Sequence, residues 1–247
     1  MTKYIIANWK MNMGKCLAYA FAEGLHQVSS DFSKEVVGII CPSFPLLGSL
    51  TLPPSFALGA QTCSSFDHGS YTGDVSAALL KEMGCDYIIV GHSERRTLCG
   101  ETNAVIRAKT LQVLTHGMIP ILCIGEPLDV YERGETKEYL KRQLEESLPS
   151  EFQSLYLKEG GCIIAYEPLW AIGTGHVADL VDIQEIHGFL RDLLRIHGLK
   201  NIPIIYGGSV TAENAQPILA SPLVSGVLVG KAALSLETFL TIIGSVT

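Results

Sequence analysis

Residues 87–125 read YIIVGHSERRTLCGETNAVIRAKTLQVLTHGMIPILCIG. Two short apolar, β-branched runs, 87–91 and 119–125, bracket a segment whose apolar residues recur at helical spacing. That segment, 102–116, puts Ala104, Val105, Ala108, Leu111, Val113 and Leu114 on one broad stripe, and Gly117 follows as a natural helix terminator. The flanking runs are almost wholly apolar rather than alternating, which suits parallel strands covered on both faces. The stretch therefore reads as one strand–helix–strand unit.

The same pattern repeats in both directions. Further apolar runs occupy 4–8, 36–41, 56–61, 162–167, 202–207 and 226–230. The eight runs end at a mean spacing of about 32 residues, close to the ~30 of a βαβ unit. Between them, residues 135–148 carry Glu138/Arg142 and Lys141/Glu145 at i,i+4, the mark of a solvated helix face, and 180–197 is amphipathic up to Gly198. No linker or low-complexity stretch interrupts the series, so residues 1–247 are expected to form a single (β/α)8-barrel domain of the α/β class. An open doubly wound sheet is the competing architecture, and it lacks its glycine signature after the first run. In such barrels chemistry sits at the C-terminal ends of the strands. The polar residues there are Asn8, Lys10, His92, Glu94, Glu126, Glu167 and Ser209.

Composition narrows the function. The chain is 47% hydrophobic, and its formal charge of −7 gives no basic excess for a nucleic-acid backbone or an anionic membrane surface. An anionic substrate must then meet a positive field made locally. Seven scattered cysteines without a CxxC argue against a disulfide framework or a zinc cage, and point to reduced thiols in the cytoplasm. No leader-like segment and no long apolar span is expected. The histidines at 26, 68, 116, 176, 187 and 197 show no metal-ligand spacing and are expected to be structural or solvated, so no metal site is anticipated.

Four run ends carry a more specific signal: Asn8-Trp9-Lys10-Met11-Asn12, Gly91-His92-Ser93-Glu94-Arg95-Arg96, Ala165-Tyr166-Glu167-Pro168-Leu169-Trp170-Ala171-Ile172-Gly173-Thr174-Gly175 and Tyr206-Gly207-Gly208-Ser209. In this order, with Cys123-Ile124-Gly125-Glu126 between them, they closely resemble the triosephosphate isomerase family, whose fold is the TIM barrel. The resemblance runs from residue 4 to about 240. It implies that dihydroxyacetone phosphate and D-glyceraldehyde 3-phosphate interconvert through an enediol(ate), without a cofactor. It implies Glu167 as the base and His92 as a neutral imidazole that polarises the carbonyl, with N–H groups of the following helix aimed at its ring. Lys10 would face the developing oxyanion, with Asn8 beside it as a neutral donor. Glu94 would orient Lys10, while Ser93, Cys123 and Glu126 would support the reacting groups. Backbone N–H groups at Gly173, Ser209 and Gly230 would hold the phosphate. Residues 168–178, from Pro168 through Ala171, Ile172, Gly173, Thr174 and Gly175 to Ala178, would form a mobile lid that excludes water from the intermediate.

The resemblance also implies a homodimer. Residues 61–75 form a long excursion whose tip, Tyr71-Thr72-Gly73-Asp74, would insert into a second copy and bring Thr72 to the partner's Lys10–Glu94 pair. Three departures stand out. Lys231 occupies a position usually held by a second glycine, Thr62 replaces an Asn, and Asp74 replaces a Glu. If position 231 needs no positive φ, its N–H survives and the added cation joins the phosphate site. Two other classes compete with the isomerase. One is a Schiff-base lyase using Lys10, which would need an uncharged lysine. The other is a non-catalytic phosphate-binding barrel, which would be expected to have lost Glu167 or His92.

Overall fold

A computed structural model describes residues 2–28, 35–159, 161–172 and 178–246, with the side chains of 156–159 excepted. Eight strands lie at β1 (Lys3–Asn8), β2 (Val36–Cys41), β3 (Phe56–Ala60), β4 (Tyr87–Val90), β5 (Ile119–Ile124), β6 (Ile163–Tyr166), β7 (Ile204–Tyr206) and β8 (Gly226–Val229). Each pairs in parallel with its sequence neighbour, and β8 pairs with β1 in the register Tyr4↔Gly226 to Ala7↔Val229, which closes the barrel. This is the eightfold barrel anticipated from the apolar runs, each strand ending within about two residues of its run.

The strands are almost wholly apolar because both faces are covered. Ile6, Ile39, Cys41, Ile89, Ile121, Cys123, Ile163, Ala165, Ile205 and Leu228 form one buried cluster, the barrel interior. Their immediate neighbours Ile5, Ile40, Val90, Leu122, Ile164 and Val227 belong to a second cluster packed under the helices. Each fully buried isoleucine contributes ~1.5–3 kcal/mol by leaving water. Helix ends follow local chemistry. Thr102 caps the helix Asn103–Thr115 by accepting from the Val105 N–H at 3.4 Å. At the other end Gly117 adopts φ +65°, so that Met118 N–H reaches Val113 O at 3.1 Å and Gly117 N–H reaches Leu114 O at 3.1 Å.

The stripe read for that helix needs correction. Its buried residues are Ile106, Lys109, Thr110, Val113 and Leu114, whereas Ala104 is exposed and Val105, Ala108 and Leu111 are only half-buried. A lysine sits on the inner face because Glu101, itself buried, accepts from its Nζ at 2.6 Å, and Thr62 Oγ1 lies 3.0 Å away. An apolar count along one helix does not register a charge neutralised by a residue outside that helix.

Candidate active site

The C-terminal strand ends bring Asn8, Lys10, His92, Ser93, Glu94, Glu167, Ser209, Gly230 and Lys231 to the wall of one cavity of about 750 Å³. Five strands contribute, so closure of the barrel is what assembles residues more than 200 positions apart.

Lys10 lies just beyond β1 with φ +53°, a left-handed backbone that costs a lysine of order 1 kcal/mol. Two side chains hold it there. Asn8 Oδ1 accepts from the Lys10 N–H at 3.1 Å, and Gln61 Nε2 donates to Lys10 O at 2.9 Å and to Cys41 O at 3.0 Å. The Nζ then meets Glu94 Oε1 at 2.5 Å. The one sequence sign of this role for Gln61 is its place as the last residue of the third apolar run.

His92 and Ser93 follow β4, where a short helix, Ser93–Leu98, begins. The Glu94 N–H points at His92 Nδ1, 3.2 Å away. A backbone N–H can only donate, so Nδ1 is the accepting nitrogen and the ring proton is assigned to Nε2 by the hydrogen-bond network. The Glu94 carboxylate lies farther from the same nitrogen, at 3.7 Å. Nε2 faces Glu167 Oε1 at 3.1 Å, and the other carboxylate oxygen accepts from the Ser93 N–H at 2.9 Å. Glu167 is 2% exposed and His92 6%, so the pair is nearly shielded from solvent.

The room for Glu167 is carved by two glycines. A β-carbon on Gly125 would fall 1.7 Å from Glu167 O, and one on Gly207 2.8 Å from Glu167 Cγ. Gln143 accepts from the Gly125 N–H at 2.8 Å, a support that nothing in its helical surroundings would reveal. Behind the carboxylate, Arg96 spans β4 and β5 by donating to Gly91 O at 2.8 Å and Cys123 O at 3.0 Å. Burial lowers the Arg96 pKa, and Cys123 and Glu167 oppose that shift. Cys123 lies in the barrel interior beneath Glu167, where burial first and the carboxylate second push its thiol well above the usual range.

Glu126 is fully buried beyond β5 and anchors the segment after Glu167. Trp170 Nε1 donates to its Oε1 at 2.8 Å and Tyr166 Oη at 3.1 Å, while burial raises its pKa against those bonds. Pro168 leads into a single 3-10 turn, Leu169–Ala171, whose Ala171 O accepts from Ser209 Oγ at 2.8 Å. Ile172 lines the cavity and Ala178 is buried. Gly173, Thr174 and Gly175, assigned to the lid and, for Gly173, to the phosphate, lie outside the described residues. Lys231 is not among the residues of positive φ, so the lysine sits there without backbone strain.

Tyr71, Thr72, Gly73 and Asp74 lie away from this wall on an exposed loop. Tyr71 stacks on Phe66 at 4.0 Å, and Asp74 accepts from Ser64 Oγ at 2.8 Å. Arg95 is bound to Glu101 at 2.7 Å. No group of three or more His, Cys, Asp or Glu side chains placed to hold a metal ion occurs among the described residues. No helix among them is long and apolar enough to cross a membrane.

Together, barrel and rim define an enzyme built for acid–base chemistry on a small molecule. The chain belongs to the triosephosphate isomerase family, whose model matches residues 3–246. It is 42% identical over 248 residues to the triosephosphate isomerase of Herminiimonas arsenicoxydans, covering 98% of both chains. It is 41% identical over 246 residues to that of Halorhodospira halophila, covering 97% of this chain and 96% of the relative. The crystal structure of triosephosphate isomerase from Bartonella henselae superposes with a TM-score of 0.86 at 35% identity, over 99% of each chain.

Proposed function

We propose that the chain is a triose-phosphate isomerase, interconverting dihydroxyacetone phosphate and D-glyceraldehyde 3-phosphate. The observation that carries this reading is the buried contact between Glu167 Oε1 and His92 Nε2, 3.1 Å long, at the cavity wall. In the resting site each group occupies the other. A substrate entering between them would take the Nε2–H onto its carbonyl oxygen and leave the carboxylate facing a carbon-bound hydrogen.

Glu167 then removes that proton. The C–H electron pair becomes the carbon–carbon double bond of the enediol(ate), and the carbonyl pair moves onto oxygen. His92 gives its Nε2 proton to that oxygen and takes the proton of the neighbouring hydroxyl. The O–H electron pair forms the new carbonyl as Glu167 returns its proton to the adjacent carbon, so the isomerisation closes with no net redox change. Lys10 supplies a fixed cation for the developing oxyanion, positioned by Glu94, and Asn8 adds a neutral donor. Backbone N–H groups of Ser209, Gly230 and Lys231, with Gly173 of the lid, would receive the phosphate. No cofactor enters the scheme. The Glu94 contact on Lys10 suits a fixed cation rather than a Schiff-base nucleophile, which favours the isomerase over a lyase.

The working form is a cytoplasmic homodimer of one catalytic domain per chain. Its support is a smaller cavity of about 280 Å³, bounded by Lys10, Met11, Thr62, Glu94 and Arg95, that opens beside the main one and suits an inserted loop tip from the partner. The test is a coupled triose phosphate assay on wild type and Glu167→Asp. Wild type should turn over robustly, and the shortened carboxylate should lose roughly 10²- to 10³-fold in kcat with little change in KM. A folded wild type without turnover would end the reading.

A further inference from the structure

Among the described residues, four formally charged side chains line the main cavity: Lys10, Glu94, Glu167 and Lys231. Lys10 and Glu94 offset each other across 2.5 Å. Glu167 remains, and its carboxylate repels an incoming phosphate dianion. Lys231 also remains, because it makes no ion pair among the described residues. It is exposed, and it opens the 3-10 turn Lys231–Leu234 directly after Gly230. Gly230 itself backs onto Lys10: a β-carbon there would lie 3.4 Å from Lys10 Cε and 3.9 Å from its Nζ. The two lysines therefore belong to one side of the cavity, and a lysine stem carries its ammonium roughly 6 Å from the backbone.

We infer that Lys231 adds a second full cation to the phosphate subsite and strengthens its hold on a dianion. The inference rests on the isomerase reading of the same site and adds a determinant of anion affinity to it. Neutral amides orient a phosphate but do not offset its second charge. Lys10 is shared with Glu94, so the unpaired Lys231 ammonium adds a counter-charge that the amides do not carry. Because this side chain meets solvent, its contribution is moderate and screened by salt. A merely structural lysine would not leave that salt signature.

The experiment compares wild type, Lys231→Met and Lys231→Arg. For Lys231→Met, KM should rise about tenfold with most of the loss in KM rather than kcat, and KM should become less sensitive to ionic strength. Sulfate, a dianion probe, should inhibit this variant correspondingly less, and Lys231→Arg should restore both properties. Unchanged KM and sulfate inhibition in Lys231→Met, or tighter binding, overturns the inference while wild-type turnover upholds the isomerase. Sulfate titration by calorimetry does not depend on turnover. A wild type that binds sulfate through Lys231 yet fails to isomerise triose phosphate would therefore sink the reaction and keep the subsite.

Discussion

At the scale of single residues, the same barrel holds imidazoles in opposite settings. His92 stands at the rim with both ring nitrogens engaged, whereas His187 is fully buried in the helix Leu180–Ile196. Its Nδ1 lies 3.2 Å from Leu223 O, and its Nε2 is buried without a hydrogen-bond partner among the described residues. Burial pushes the His187 pKa down to about 4; the Leu223 carbonyl opposes the shift and Arg191 adds to it. The unfolded chain therefore takes up this proton near pH 6.5 and the folded chain only near pH 4. Stability is complete above the unfolded value and drains as the pH falls through that window, by roughly 2–3 kcal/mol at pH 4.5. Urea unfolding at pH 7.5 and pH 4.5 should show that loss in wild type and a much smaller one in His187→Leu, where Arg191 Nη2 still donates to Leu223 O at 3.1 Å. An equal loss in the variant would move the cause to the carboxylates.

At the scale of elements, precision at the site comes from strand ends pressed together. Gly125 just past β5 touches the peptide of Glu167 just past β6, and the Glu167 N–H donates to Ile124 O at 2.8 Å. Gly125→Ala must push the two strand ends apart, which should cost about 1–3 kcal/mol of stability. Because the displaced residue is the base, kcat should fall on the order of 100-fold even where the protein stays folded. Chemical unfolding and steady-state kinetics on one preparation separate the two effects, and a folded variant of normal kcat would remove Gly125 from the positioning role. This contact also marks the boundary of what the sequence makes legible. The strands could be read because parallel strands buried on both faces leave continuous apolar runs, and the reacting residues because they follow those runs directly. Lys109 could not be read as buried, since its counter-charge Glu101 lies outside its helix. The left-handed Lys10, the Gln143 support of Gly125 and the Arg96 clamp are likewise tertiary. Each depends on which strand end lands beside which, and no local periodicity encodes that.

At the scale of the whole molecule, the proposed dimer and the active site meet at the turn that carries Lys10. Met11 is 97% exposed immediately after Lys10, whose left-handed backbone is pinned by Gln61, the first residue of the excursion that leads to the stacked Phe66–Tyr71 pair. Asp67 of the same excursion accepts from His116 Nε2 at 2.7 Å, which ties the loop to the end of the helix Asn103–Thr115. Exposed methionine and aromatic surface of this kind seeks cover, and a two-fold dimer would supply it by exchanging loop tips. Covering Met11 would also remove freedom from the strained turn that aims Lys10 Nζ at the cavity. Dissociation should therefore cost catalysis before it costs the fold. Sedimentation of wild type at falling concentration should show activity following the dimer fraction. Met11→Lys should give a monomer with an unchanged circular dichroism spectrum and kcat lowered by about 100-fold, because an ångström of misplacement at Lys10 is enough for that loss. A wild-type monomer that is stable and fully active would show that the Lys10 turn holds itself, and that Gln61 and Asn8 alone carry the strain.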